Sequence, residues 1–262
     1  VTDSKLVAVV TTYVARRGRS YRLPVNADFE AVQKAKLAFQ EIVTRDSKSL
    51  TEIPNETFPL MSGVFNAPIY GHDTWGSVFT PRQLVYITFV IRKTREYISK
   101  IKDKDYAQAL SSILGLVIDK MIDMNAALCV WQTHAEIPAH VFGRWAIQMV
   151  WDYAEANPLA GSSGSPESAT KRTCDGIFQL IDSNYTAGQV IQSSATKHLL
   201  PDNSAQILVT DPPYYNAIPY ADISDYFYVW LKRLLKEQHP ELFKYNLAPK
   251  EDEICEMACW DN

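Results

Sequence analysis

The sequence predicts an α/β chain in two parts: a mainly helical part over residues 1–155 and a partial three-layer α/β part over 156–262. Three observations carry this. Apolar residues recur at three- and four-residue spacing behind strong helix starts at Thr80 and near Asp105. The texture changes at Asn157-Pro158-Leu159-Ala160-Gly161-Ser162-Ser163-Gly164. Beyond it come a helix, a short apolar run, a turn, a second apolar run and a helix, which is the order of a layered sheet.

The elements follow in order. Leu6 to Val14 is apolar and β-branched and runs into Arg16-Arg17-Gly18-Arg19, a strand entering a basic turn. Asn26 to Val43 has helical spacing at Phe29, Val32, Ala35, Phe39 and Ile42. Residues 44–79 are rich in Pro, Gly, Asn, Ser and Thr, a long loop packed through Phe58, Phe65, Tyr70 and Trp75. Thr80 is an N-cap, Pro81 lies in the first turn and Gln83 completes a capping box, opening a helix to about Ile101. A second helix runs from near Asp105 to about Trp131, with Leu110, Ile113, Leu114, Val117, Ile118 and Met121 on its apolar stripe. A third covers Phe142 to Ala154.

In the second part Pro166 opens a helix to about Asp182, and Gln189 to Gln192 is a strand. Pro201 to Ser204 is a turn and Ile207 to Val209 a buried strand. Asp222 to Lys236 is a helix with Phe227, Trp230, Leu231 and Leu234 inward, capped by Asp222, Ser224 and Asp225.

The chain has 262 residues and a net charge of −4, distributed unevenly. Lys5, Arg16, Arg17, Arg19 and Arg22 make the first 24 residues basic, and Arg92, Lys93, Arg95, Lys100, Lys102 and Lys104 form a second cluster. Such patches suit a DNA backbone or an ordinary solvated face equally well. No apolar run approaches the roughly 18 residues of a membrane span, and the N-terminus carries no cleavage signal. A soluble, cytoplasmic protein is expected, and Val1, which is not an initiator methionine, points to a fragment. Cys255 and Cys259 form a single CxxxC without a second pair, so free thiols are expected and no metal. Cys129, His134, Glu136 and His140 read as structural, since Pro138 interrupts any shared helical face.

Chemistry concentrates at Thr210-Asp211-Pro212-Pro213-Tyr214-Tyr215. Each proline fixes its own φ and pushes the residue before it out of helical angles, which holds Asp211 and Pro212 extended. The prolines have no N–H, so their carbonyls and the Asp211 carboxylate are acceptors suited to gripping an amino group. Tyr214 supplies a ring face for a planar heterocycle, a contact worth about 1–3 kcal/mol per base.

Asp211-Pro212-Pro213-Tyr214 matches at every position the [DNS]-P-P-[YFW] hallmark of the amino-group DNA methyltransferases, which the chain resembles. The longer string TDPPYYNAIPYADISDYFYVWLKR, at 210–233, is similar to the corresponding region of a bacterial and archaeal family of adenine-specific DNA methylases with a large insert. YRLP at 21–24, YGHDTWGSVFTPRQL at 70–84, FGR at 142–144 and MVWDYAEANPLAGSSGS at 149–165 also resemble that family.

The resemblance implies a partial Rossmann-like, S-adenosylmethionine-dependent methyltransferase sheet interrupted by a helical insert for target recognition. It implies methyl transfer to N6 of adenine in DNA. The base would be flipped out of the duplex, because its amino nitrogen is otherwise paired. Asp211 and the Pro212 carbonyl would grip N6, Pro213 belongs to the same catalytic motif, Tyr214 would stack, and Tyr215, Asn216 and Tyr220 would line the pocket. DNA is the implied partner, with room for other subunits of a restriction or defence system.

For the cofactor, Asn157, Gly161 and Gly164 partly resemble the family's [DN]-P-F-x-G-x-G turn, although the glycines are three apart and the preceding residues read as a helix. A Gly/Ser loop between helices accounts for them better. Ser194 stands where the family has Gly-[Asp or Ser]-Ala-Thr, near the cofactor's adenine, and is otherwise a strand-end cap. The family's own cofactor loop and Trp-Trp-Ala-Arg-Arg string do not occur in these residues, which implies that part of the cofactor pocket is missing. Two rival functions stay open: a non-catalytic DNA-binding or scaffold module, and methylation of RNA or another amino acceptor.

Overall fold

The structure, a computed structural model, describes residues 4–12, 18–46, 50–181, 186, 188–191, 193–194, 197, 199–214 and 217–251. These form a mixed α/β arrangement of five α-helices and two small antiparallel sheets. Among the described residues no helix is long and apolar enough to cross a membrane.

Strands β1 (Val9–Thr12) and β2 (Arg19–Arg22) pair antiparallel, Val10 opposite Tyr21 and Thr12 opposite Arg19. Helix α1 spans Asn26–Arg45, and the Asp28 carboxylate in its first turn accepts the Val25 N–H at 2.8 Å. Helix α2 spans Pro81–Ile98 and has the expected capping box: Thr80 Oγ1 accepts the Gln83 N–H, and Gln83 Oε1 accepts the Thr80 N–H. Helix α3 spans Lys104–Ile122, with Asp103 as N-cap. Strands β3 (Trp131–Gln132) and β4 (Ile137–Pro138) close a second hairpin, and α4 (Pro166–Ile181) and α5 (Tyr220–Leu235) follow.

The core is aromatic. Trp75 stacks on Phe58 at 4.2 Å and meets Phe65 edge-on, while Phe79 stacks on Tyr226 and meets Trp230 edge-on. The 44–79 loop is thus packed through Phe58, Phe65 and Trp75, whereas Tyr70 lies outside, half-exposed against Trp151. Helix α5 joins the same cluster from the other end of the sequence, with Trp230 and Leu234 fully buried and Phe227 and Leu231 partly so.

Helix α3 stops at Ile122 rather than near Trp131, because its last carbonyls find partners elsewhere. Asn125 Nδ2 donates to the carbonyls of Met121 and Gly164 at 2.6 and 2.7 Å, and the Val141 N–H donates to the Asp123 carbonyl. No helix forms over 142–154. The Ile147 N–H donates to Val64 and its carbonyl accepts from Asn66, while the Ala154 N–H donates to Cys129. Those long-range bonds bury Ile147 beside Phe65 and remove the donors that a helical ladder needs.

The two expected strands of the second part also differ from expectation. Residues 189–191 and 205–209 are unpaired, and Gln192 lies outside the described residues. Ile207, Leu208 and Val209 are 80, 80 and 86 % exposed. A strand leaves half of its backbone groups to its neighbours, and among the described residues neither of these stretches has a partner strand.

Candidate functional site

Asp211 and Pro212 are exposed, Pro213 is half-buried and Tyr214 is 64 % exposed. The chain then returns to the body through Ile218 and Pro219, both buried, and enters α5 at Tyr220. The Tyr214 N–H donates to Tyr220 Oη at 3.3 Å, and the Ala217 N–H donates to the Tyr214 carbonyl at 3.4 Å. Of the expected pocket residues the structure thus brings Tyr214 and Tyr220 together. Tyr215 and Asn216 lie outside the described residues.

The expected cofactor residues lie in two other places. Asn157 shapes a local turn, its Oδ1 accepting the Leu159 N–H and its carbonyl the Ala160 N–H. Gly161 and Gly164 both have positive φ, +62° and +85°. A Cβ on Gly164 would come within 3.0 Å of Ala156 Cβ and 3.2 Å of Asn125 Nδ2, so its glycine also serves packing within the body. The loop leads directly into α4, whose Ser168 N–H is capped by Ser165 Oγ. The Ser194 carbonyl accepts the Lys197 N–H at 3.0 Å.

Beneath the motif, α5 is anchored by groups that sequence reasoning missed. Arg233 is buried and donates to Glu56 Oε1 at 3.0 Å, to the carbonyls of Thr51 and Ile53, and to Thr51 Oγ1. Tyr226 Oη donates to the Ile122 carbonyl at 2.7 Å, and burial pushes its ionisation well up. Asp225 is no helix cap. It is fully buried and accepts from the Ala248 N–H at 2.7 Å and from Lys250 Nζ at 2.8 Å, tying the segment after α5 back onto the helix. Burial raises its pKa and the bond from Lys250 opposes that shift. Ser224 Oγ donates to the Ala221 carbonyl, while Asp222 lies in the first turn of α5. The signal for these anchors was a charged Lys-Arg pair inside an apolar helical stripe.

Several of the basic residues are engaged within the fold. Arg22 holds Asp28 through two bonds at 2.6 and 2.9 Å, which lowers the Asp28 pKa to about 2. Lys93 pairs with Glu96, Arg95 pairs with Glu237, and Arg19 Nε donates to the Glu136 carbonyl. Lys100, Lys102 and Lys104 are exposed around the α2–α3 turn. Arg16 and Arg17 lie outside the described residues.

Among the described residues, no group of three or more His, Cys, Asp and Glu side chains could hold a metal ion. Cys129 is buried and its thiol is pushed up to about 12 by burial. His140 Nδ1 lies 2.5 Å from Asp123 Oδ2.

No family profile, curated protein or solved structure matches the chain.

Proposed function

We propose that the chain carries the base-binding part of an S-adenosylmethionine-dependent amino-methyltransferase that acts on N6 of adenine in DNA. The observation that carries this proposal is the Asp211-Pro212-Pro213-Tyr214 sequence, presented at the surface with the Asp211 carboxylate and the Tyr214 ring exposed and its exit held on α5. A base flipped from a duplex needs such an accessible edge. Asp211 and the Pro212 carbonyl draw the N6 lone pair out of conjugation by accepting its hydrogens, and Tyr214 stacks on the ring. Catalysis is then mainly positioning, with no covalent nucleophile, so Cys129 can stay buried and inert.

In this proposal residues 1–155 are the insert that recognises the target, and residues 156–262 belong to a partial Rossmann-like methyltransferase sheet. The apolar run Ile207 to Val209, unpaired and exposed in this structure, would pair as a strand of that sheet to deliver the motif. Ser194, Asn157, Gly161 and Gly164 are the cofactor-side candidates, with part of the methyl-donor pocket coming from a segment this chain does not carry. DNA is the partner, and other subunits of a restriction or defence system fit the same role.

The test is Asp211→Ala in the complete gene product. Transfer of tritiated methyl from S-adenosylmethionine to DNA should vanish while the melting temperature stays within a degree or so, because Asp211 is exposed. Retained transfer sinks the assignment. Calorimetry with S-adenosylmethionine separates an enzyme from a DNA-binding scaffold.

A further inference from the structure

Across Pro212 and Pro213 the backbone presents carbonyls and no N–H. The first donor after Asp211 and its prolines is therefore the Tyr214 N–H, and Tyr220 Oη accepts it at 3.3 Å. The Tyr220 ring packs against the core and follows two buried residues, Ile218 and Pro219. The helix it opens is fixed to the body by the Tyr226 bond to Ile122 and by the Arg233 bonds to Thr51, Ile53 and Glu56. The exposed stretch before the motif gives it no comparable support. Among the described residues the Tyr214 backbone is thus held by the Ala217 N–H within the loop and referenced to α5 by the Tyr220 hydroxyl.

We propose that Tyr220 is the positioning residue of the Asp-Pro-Pro-Tyr site. Its hydroxyl fixes the Tyr214 backbone against α5 and occupies the first backbone donor beside an otherwise acceptor-only cradle. This rests on the amino-methyltransferase proposal above and extends it to specificity. A base that presents an amino group finds acceptors at Asp211 and Pro212. One that presents a carbonyl faces like-signed oxygen lone pairs and meets no free N–H along the backbone from Pro212 to Tyr214, the repulsive element that discrimination needs. Freeing the Tyr214 N–H would give such a carbonyl a donor. Tyr220 accordingly acts through Tyr214 rather than by lining the pocket.

Tyr220→Phe keeps the ring and removes the hydroxyl. In the complete gene product the variant should melt with wild type, and the Tyr214 amide should exchange with solvent roughly three- to tenfold faster, as loss of one hydrogen bond predicts. In methyl transfer from tritiated S-adenosylmethionine to unmethylated plasmid DNA, kcat should fall about tenfold or more while KM for DNA stays within about twofold, as lost positioning predicts. In a binding competition that needs no turnover, a duplex with hypoxanthine in place of adenine should compete at least about threefold better against the variant, as one gained hydrogen bond predicts. Unchanged amide exchange or unchanged competition overturns the proposal. A lowered melting temperature with kcat and KM shifted alike marks a merely structural role and also overturns it. If the wild-type protein moves no methyl group onto DNA, the methyltransferase proposal fails, while the exchange and competition measurements still decide the role of Tyr220.

Discussion

The helical body and the segment that leads into the motif draw on the same aliphatic residues. Ile87, Ile118 and Leu234 are almost fully buried in the body, yet Ile207, Leu208 and Val209 are 80, 80 and 86 % exposed. The difference lies in where each element finds its hydrogen bonds. A helix closes its ladder within the segment, so one amphipathic stripe can be buried against another wherever side chains fit. A strand must borrow its ladder from a neighbour, and the described residues around 205–209 supply none. Asp211 to Tyr214 stand at the junction, loosely held from the side of 205–209 and tied through Tyr220 on the side of α5.

The largest expected effect breaks the body. Arg233→Ala leaves the buried Glu56 carboxylate with Lys232 Nζ, at 3.8 Å, as its remaining cationic partner and should cost about 3–5 kcal/mol in urea unfolding. A loss below about 1 kcal/mol would show that α5 does not depend on that pair for its seat. Next comes a pH effect in α3. Burial and the neighbouring Asp123 push the Asp119 carboxyl up to about 7, and its Oδ1 has no hydrogen-bond partner. The folded chain keeps a proton that the unfolded chain releases from about pH 4 upward, so stability falls as pH rises through that window. Asp119→Asn and wild type should therefore match near pH 4 and diverge by up to about 4 kcal/mol near pH 8, the variant being the more stable. Parallel curves would place Asp119 in contact with water.

Thr80→Ala should cost about 1 kcal/mol, the usual value of an N-cap, by loss of the bond from the Gln83 N–H. The smallest effect sharpens the comparison from its other side. Leu208→Ser should leave the stability of the 262-residue chain unchanged within about 0.5 kcal/mol, since the side chain is already in water. A larger loss would show residues 205–209 to be buried after all.

Features decided by a few adjacent residues were legible in the sequence. The Thr80, Pro81 and Gln83 start is one, and the inward positions Trp230 and Leu234 of α5 are another. The expected helix over 142–154 shows the opposite case, because bonds to Val64, Asn66 and Cys129, which lie far away in sequence, take the backbone groups a helix would need. Asp225 looked like a cap from its distance to the helix start, but only the return of Ala248 and Lys250 onto α5 shows what it binds.

The sequence by itself determined the helix starts, the apolar stripes and the motif, because caps, periodicity and proline geometry act within a few residues. The tertiary structure decided where α3 ends, that residues 142–154 are not a helix, that Arg233 and Glu56 meet inside the core, and that Tyr214 leans on Tyr220. Those outcomes depend on which distant backbone groups compete for each donor and acceptor, a competition settled only when the whole chain is packed.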